Sequence, residues 1–154
     1  MVLPAGDGVV TLRPFVADDR QLILDQRDAE CERWLGPGSP DPSPTACIEV
    51  NGDVVGWIDA DLAPEWLRPG EANVGYSIFP AHRGNGYAAR AVRLLAAELS
   101  ERGLRWALLV IDVQNQASMG VARAAGAEVL AQRSMPEFPT STVHALELGH
   151  HATR

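Results

Sequence analysis

The rhythm of apolar and polar positions changes repeatedly along the chain. Val9 to Arg13 largely alternate, which predicts a first strand ended by Pro14. Asp18 and Asp19 stand where a helix would be capped. Leu22, Ile23 and Leu24, then Cys31, Trp34 and Leu35, predict one or two helices through Leu35. Gly36 to Pro44 carries Pro37, Pro40, Pro42 and Pro44 and reads as a loop, because repeated proline removes backbone donors and fixes φ. The apolar runs Ala46–Val50 and Val54–Leu62 flank Asn51-Gly52, a pair suited to the positive φ values of a type I′ hairpin. A second loop, Ala63–Gly70, precedes a strand at Asn73–Phe79, so three antiparallel strands are expected mid-chain.

The period then becomes helical. Gly86–Arg102 carries a stripe of Ala88, Ala91, Leu95 and Leu99, with Val92 and Leu94 beside it, and Gly103 is placed to end the helix. Leu104–Asp112 is almost continuously apolar, as a strand buried on both faces would be. Asn115 can cap a short helix, Gln116–Ala125, closed by Gly126. Glu128–Arg133 and Thr142–Leu148 predict a last strand pair. The 154 residues fit a single domain, 1–154, with its own core.

Composition narrows the function. The chain is 46% apolar, an ordinary globular value, and no apolar run approaches the roughly 20 residues that span a bilayer, so no membrane partner is expected. Met1–Asp7 lack a basic stretch followed by an apolar core; no secretory signal is expected there, and the expected location is cytoplasmic. Cys31 and Cys47 are far apart and read as reduced thiols. His82, His144, His150 and His151 are not spaced as zinc ligands, and no metal is expected. A net charge of −7 argues against a nucleic-acid partner and is compatible with a cationic substrate. The 13 basic residues are all arginine.

The chemistry is concentrated in Asn73–Ala89. A strand ends at Pro80, and Arg83-Gly84-Asn85-Gly86-Tyr87-Ala88 then opens a helix. Two glycines allow a tight turn and close ligand approach, and the exposed amides of a helix start attract phosphate. Arg83 adds a fixed positive charge. Gly84, Gly86 and Ala89 also match the dinucleotide pattern G-x-G-x-x-A. Three features disfavour that reading. Residues 80–83 separate the glycines from the strand, too little chain follows for further βα units, and the preceding strands read as an antiparallel meander.

Arg83, Gly86 and Ala88 fill the pattern (Gln/Arg)-x-x-Gly-x-(Gly/Ala), and here the chain resembles the GNAT acetyltransferase superfamily. The strand Val74–Pro80, the segment Asn115-Gln116-Ala117-Ser118 and the later Gly126 strengthen the resemblance. Leu12-Arg13-Pro14-Phe15 with Asp18 resembles the opening of its Rim-type branch, the ribosomal-protein N-terminal acetyltransferases. The resemblance implies an α/β (α+β) domain whose mixed, mostly antiparallel sheet has six to seven strands flanked by helices. It also implies a CoA cleft between splayed strands 73–79 and 104–112. The amides of Gly84, Asn85, Gly86, Tyr87, Ala88 and Ala89, with Arg83, would hold the CoA pyrophosphate. The backbone of Tyr76, Ser77 and Ile78 would pair with pantetheine, and Asn115 and Ser118 would face pantetheine and the sulfur.

The implied reaction is direct attack of a primary amine on acetyl-CoA, without an acyl-enzyme, so neither cysteine is read as catalytic. A tyrosine that many members carry four residues before the helix-ending glycine is Ala122 here, which leaves Ser118 as the candidate proton donor. Glu71 and Asp112 are the leading candidates for general base, with Asp59 as another acid that could face the cleft. Trp34, Trp57 and Trp66 lie in or near segments expected to bind the acceptor. A protein N-terminus, an aminoglycoside and a small amine stay open as acceptors; the oligomeric state is not readable from the sequence, and a homodimer is suggested by analogy alone. The alternative, favoured by Ala122, is a non-catalytic acyl-CoA-binding module or sensor.

Overall fold

Asn51 and Gly52 take up φ of 52° and 83°, the left-handed values that a two-residue hairpin needs. They fold β3 (Ala46–Val50) onto β4 (Asp53–Asp61) at the centre of an eight-stranded sheet. The computed structural model describes residues 2–133 and 135–149; His150 and His151 lie outside them. The other strands are β1 (Ala5–Gly6), β2 (Thr11–Pro14), β5 (Glu71–Ile78), β6 (Trp106–Asp112), β7 (Glu128–Val129) and β8 (Ser141–Glu147). Their order is β1-β2-β3-β4-β5-β6-β8-β7, so the mixed, mostly antiparallel sheet has eight strands where six to seven were expected. The unexpected strand is β1, whose two residues are too few to carry a readable period.

Four α-helices accompany the sheet: α1 (Arg20–Asp25), α2 (Ala29–Leu35), α3 (Tyr87–Glu101) and α4 (Gln116–Ala125). Asp28 caps α2 by accepting the Cys31 N–H at 3.0 Å. Asp19 precedes α1 but makes no side-chain cap. Its carboxylate is instead held by both Nη atoms of Arg13, at 2.7 and 2.8 Å, and by the Val16 N–H. Of the expected strand Glu128–Arg133 the first two residues form a ladder with β8 and the Leu130 N–H adds a bond to the Val143 carbonyl at 2.8 Å; Arg133 is drawn away to Glu71.

α3 lays Ala91, Val92, Leu95 and Leu99 on one face of the sheet against Ile48, Val55, Ile58, Val74 and Leu109, and α4 adds Ala122 and Ala125. Leu108, Val143, Ala145 and Met135 form a smaller cluster, flanked by Trp66 and Trp106. Successive residues of β6 thus serve both clusters, which is why that run carries no polar alternation.

One ladder sets up the site. β5 and β6 are parallel and pair at three positions, Glu71–Trp106, Ala72–Ala107 and Asn73–Leu108. Beyond Asn73 each strand stays paired on its other side, β5 with β4 as far as Ile78 and β6 with β8 as far as Asp112. The sheet therefore parts along this line.

β4 and β5 are held so close that a Cβ on Gly56 would lie 2.2 Å from the Ser77 carbonyl oxygen. Gly56→Ala must push β5 outward. We expect it to lower the unfolding free energy in urea by about 1–3 kcal/mol, the range of core overpacking.

Candidate active site

The gap between β5 and β6 opens into a cleft of about 430 Å³. Tyr76, Ser77 and Ile78 line it from β5, residues 83–88 from the turn into α3, Asn115 and Ser118 from α4, and Cys31 and Trp34 from α2. All cofactor-binding candidates from the sequence line it except Ala89, which is 6% exposed and outside the lining.

A single turn of 3-10 helix, Pro80–His82, carries the chain out of β5, and Arg83 is extended. Gly84 and Gly86 then take φ of 83° and 76°. A Cβ at either would meet nothing within 4 Å, so the left-handed backbone, not crowding, is what calls for glycine here. Gly86 is the N-cap of α3, and no side chain caps that end. The first-turn amides of this 15-residue helix are left for a ligand, at the positive end of its dipole. Asn85 braces the turn through its Nδ2 donor to the His82 carbonyl at 3.0 Å.

Arg83 lines the cleft and is also engaged by carboxylates of the neighbouring segment. Its guanidinium is not a free charge beside the turn. It donates to both oxygens of Asp28 at 2.7 and 2.9 Å, to Glu30 at 3.0 Å and, through Nε, to the Ile78 carbonyl at 3.1 Å. These bonds hold the Asp28 carboxyl far below the usual carboxylate range. The residue fastens α2 to the turn, and the amides at the head of α3 are the donors left without a side-chain cap.

In α4, Asn115 Oδ1 accepts the Ser118 N–H at 3.1 Å, which makes Asn115 the N-cap. The Ser118 Oγ accepts the Tyr76 hydroxyl at 2.9 Å. Burial pushes the Tyr76 phenol above its ordinary pKa, so it stays a neutral donor. The Ser118 proton has no acceptor among the described residues and remains available in the cleft. This hydroxyl pair was not foreseen, because no spacing links residues 42 apart on a strand and a helix. Ala122 is fully buried in the core.

The carboxylates separate clearly. Glu71 binds Arg133 through both oxygens, at 2.8 and 2.9 Å, and accepts the Arg68 N–H; both side chains of the pair are 8% exposed. Burial would raise its pKa, but the guanidinium outweighs this and holds it low. Asp112 accepts the Gln114 N–H and the Thr140 hydroxyl, each at 2.9 Å, and these bonds also depress it. Neither lines the cleft, so the expectation that they act as base is not supported by their placement. Asp59 lines a second, adjoining cavity with Trp57. Trp66 packs in the Leu108 cluster. Cys47 is buried and its thiol is pushed up to about 12, which makes it unreactive. Among the described residues no group of three or more His, Cys, Asp or Glu is placed to hold a metal, and no helix is long and apolar enough to cross a membrane.

The fold is thus an α/β sheet whose one parallel strand pair parts beside a helix N-terminus that no side chain caps. The family follows from the sequence match: residues 46–128 fit the model described as the Acetyltransferase (GNAT) domain, and the chain belongs to this family of acetyltransferases. No curated protein matches the sequence. Among solved structures, an acetyltransferase from Agrobacterium tumefaciens str. C58 is similar over 95% of both chains, at 22% identity and a TM-score of 0.74. The aminoglycoside acetyltransferase AAC(6')-Ib in complex with ribostamycin and coenzyme A is similar over 90% of this chain and 93% of its own, at 17% identity and a TM-score of 0.78. The Microcin C7 self-immunity acetyltransferase MccE, in complex with acetyl-CoA and AMP, covers 92% and 93% at 13% identity and a TM-score of 0.68. At these identities the likeness is one of fold.

If Arg83 is the fastener of α2, Arg83→Ala should raise amide hydrogen exchange across Ala29–Leu35, Asp28→Ala, which also removes the cap of α2, should raise it more, and the double variant should go no further than Asp28→Ala alone.

Proposed function

We propose that the chain is an acetyl-CoA-dependent N-acetyltransferase that moves an acetyl group to a primary amine by direct attack. The observation that carries this is the parted β5–β6 pair, with helix amides at one end of the cleft and a free Ser118 proton within it. The comparison structures that hold coenzyme A with ribostamycin or kanamycin support an amine acceptor.

Acetyl-CoA would supply an activated acetyl thioester. The amides from Gly84 to Tyr87 and the first turn of α3 fit its pyrophosphate. The β5 edge from Tyr76 to Ile78 has no strand partner on the cleft side, so its backbone can pair with the pantetheine arm. An N–H of that edge can polarise the thioester carbonyl and receive the oxyanion as the C–N bond forms. When the C–S bond breaks, charge develops on sulfur. Ser118 donates its hydroxyl hydrogen there and its Oγ takes a proton back from solvent, while Tyr76 occupies a lone pair of the same Oγ and so aims that hydrogen outward. The amine sheds its surplus proton to solvent.

The second reading is a non-catalytic acyl-CoA-binding module, favoured by Ala122 where many relatives have tyrosine. Turnover separates the two. On the enzyme reading Ser118→Ala lowers kcat at least tenfold, about 1.4 kcal/mol of barrier, with little change in CoA affinity. Tyr76→Phe lowers kcat in the same direction by less, because Ser118 remains but is no longer oriented. An unchanged kcat in Ser118→Ala would remove it from the chemistry, and binding without any release of free CoA would favour the module.

A further inference from the structure

A second cavity, of about 280 Å³, lies between α2, the Gly36–Pro44 loop and β4. It shares Cys31 and Leu35 with the CoA cleft as a common wall. Its lining contains one positive and one negative side chain, Arg27 and Asp59.

Each of the two is positioned and only partly used. Asp59 Oδ1 accepts the Thr45 N–H and the Thr45 hydroxyl, both at 2.9 Å, while its Oδ2 has no partner among the described residues. Arg27 donates from Nη1 to the Ser39 carbonyl at 2.7 Å. A Cβ on Gly38 would lie 2.7 Å from Arg27 Nη2, so the loop backbone and the guanidinium are in contact. Five arginines of the chain are bound to carboxylates in the described residues; Arg27 is not among them. The result is a held guanidinium fork with donors to spare, in the same cavity as a carboxylate oxygen to spare.

Space connects Asp59 with the parted strands. In the β4–β5 ladder Asp59 lies directly opposite Gly75, and Trp57 opposite Ser77, which lines the CoA cleft. Directly opposed residues of an antiparallel pair point to the same face. Gly75 has ordinary strand φ, and a Cβ there would meet nothing within 4 Å. Neither backbone conformation nor crowding calls for glycine at this position. What its missing side chain leaves is room beside Asp59, on the strand whose next residues, Tyr76–Ile78, line the neighbouring cleft.

We propose that this cavity binds the acceptor, and that the acceptor is an amine that also carries a carboxylate: a free amino acid, or a peptide with an acidic residue at its N-terminus. The proposal rests on the reading of the neighbouring cleft as the acetyl-CoA site. The acceptor carboxylate pairs with the Arg27 fork, whose planar donors suit two carboxylate oxygens. The amino group donates to Asp59 Oδ2 above Gly75, loses its ammonium proton to solvent and then presents its lone pair to the thioester. A polycation such as an aminoglycoside meets the Arg27 charge and is disfavoured.

The test measures release of free CoA by the full chain with acetyl-CoA and four probes: a neutral amino acid, its carboxamide, a dipeptide with an acidic first residue, and kanamycin. Acetyl-CoA binding is followed separately by calorimetry. The expected result is that the amino acid or the dipeptide exceeds the carboxamide by at least about tenfold in kcat/KM. Arg27→Gln should abolish that ratio without changing acetyl-CoA affinity, and Arg27→Lys should restore part of it. Gly75→Val, for which the backbone and the space are suitable, should keep acetyl-CoA binding and lose transfer. Which of the two carboxylate probes is used tells the amino acid from the peptide. Equal use of acid and amide, a preference for kanamycin, no transfer to any probe while acetyl-CoA binds, or an equal loss on all probes in Arg27→Gln would each overturn the proposal. Failure of acetyl-CoA itself to bind would overturn the cleft reading, and this one with it.

Discussion

The structure depends on a parallel ladder that stops after three residue pairs. Two adjacent strands cannot leave facing rows of N–H and C=O groups unpaired and dry, because each unmade hydrogen bond costs about 1–3 kcal/mol. Past Asn73 the inner edges of β5 and β6 must therefore meet water or a ligand. Asn73 Oδ1, at the last paired position, is itself buried without a partner among the described residues. The outer edges stay fully paired with β4 and β8, so the split is held open by a rigid sheet on either side. An extended arm that offers its own amides to β5 is the natural complement of that edge.

Around the split the chain is tied together by arginine forks. Arg13 grips Asp19, Arg83 grips Asp28 and Arg133 grips Glu71, in every case with both Nη atoms on both carboxylate oxygens. A lysine cannot make that planar two-point contact. In this chain, whose basic residues are all arginine, the forks act as braces between distant segments. Arg83 links α2 to the turn at the head of α3, and Arg133 links the chain after β7 to the start of β5. Both walls of the cleft are thus fixed by bonds that reach 55 and 62 residues along the sequence.

What was legible in the sequence was local. Asn51-Gly52 marked its hairpin, Gly84 and Gly86 marked the turn, and Asn115 with Gly126 bounded α4, because in each case a few adjacent residues determine the backbone. What was not legible were pairings across the fold. The Asp28 that engages Arg83 lies 55 residues away and the Arg133 that engages Glu71 lies 62 away, so neither pairing shows in the local pattern. Asp112 sits on the expected strand but is tied to Thr140 at its edge. The Tyr76–Ser118 bond joins a strand and a helix whose separate periods say nothing of their contact. Ala89 belongs to the turn by sequence, yet helix geometry buries its side chain.

The central claim is that this cleft holds acetyl-CoA. Its most direct test is the thermal unfolding of the chain with acetyl-CoA, CoA and NAD in parallel. A ligand at a hundredfold excess over its Kd adds about 2.7 kcal/mol of apparent stability. The account predicts that acetyl-CoA and CoA raise the transition temperature and NAD does not. No shift with either CoA form, or a shift with NAD alone, would contradict it.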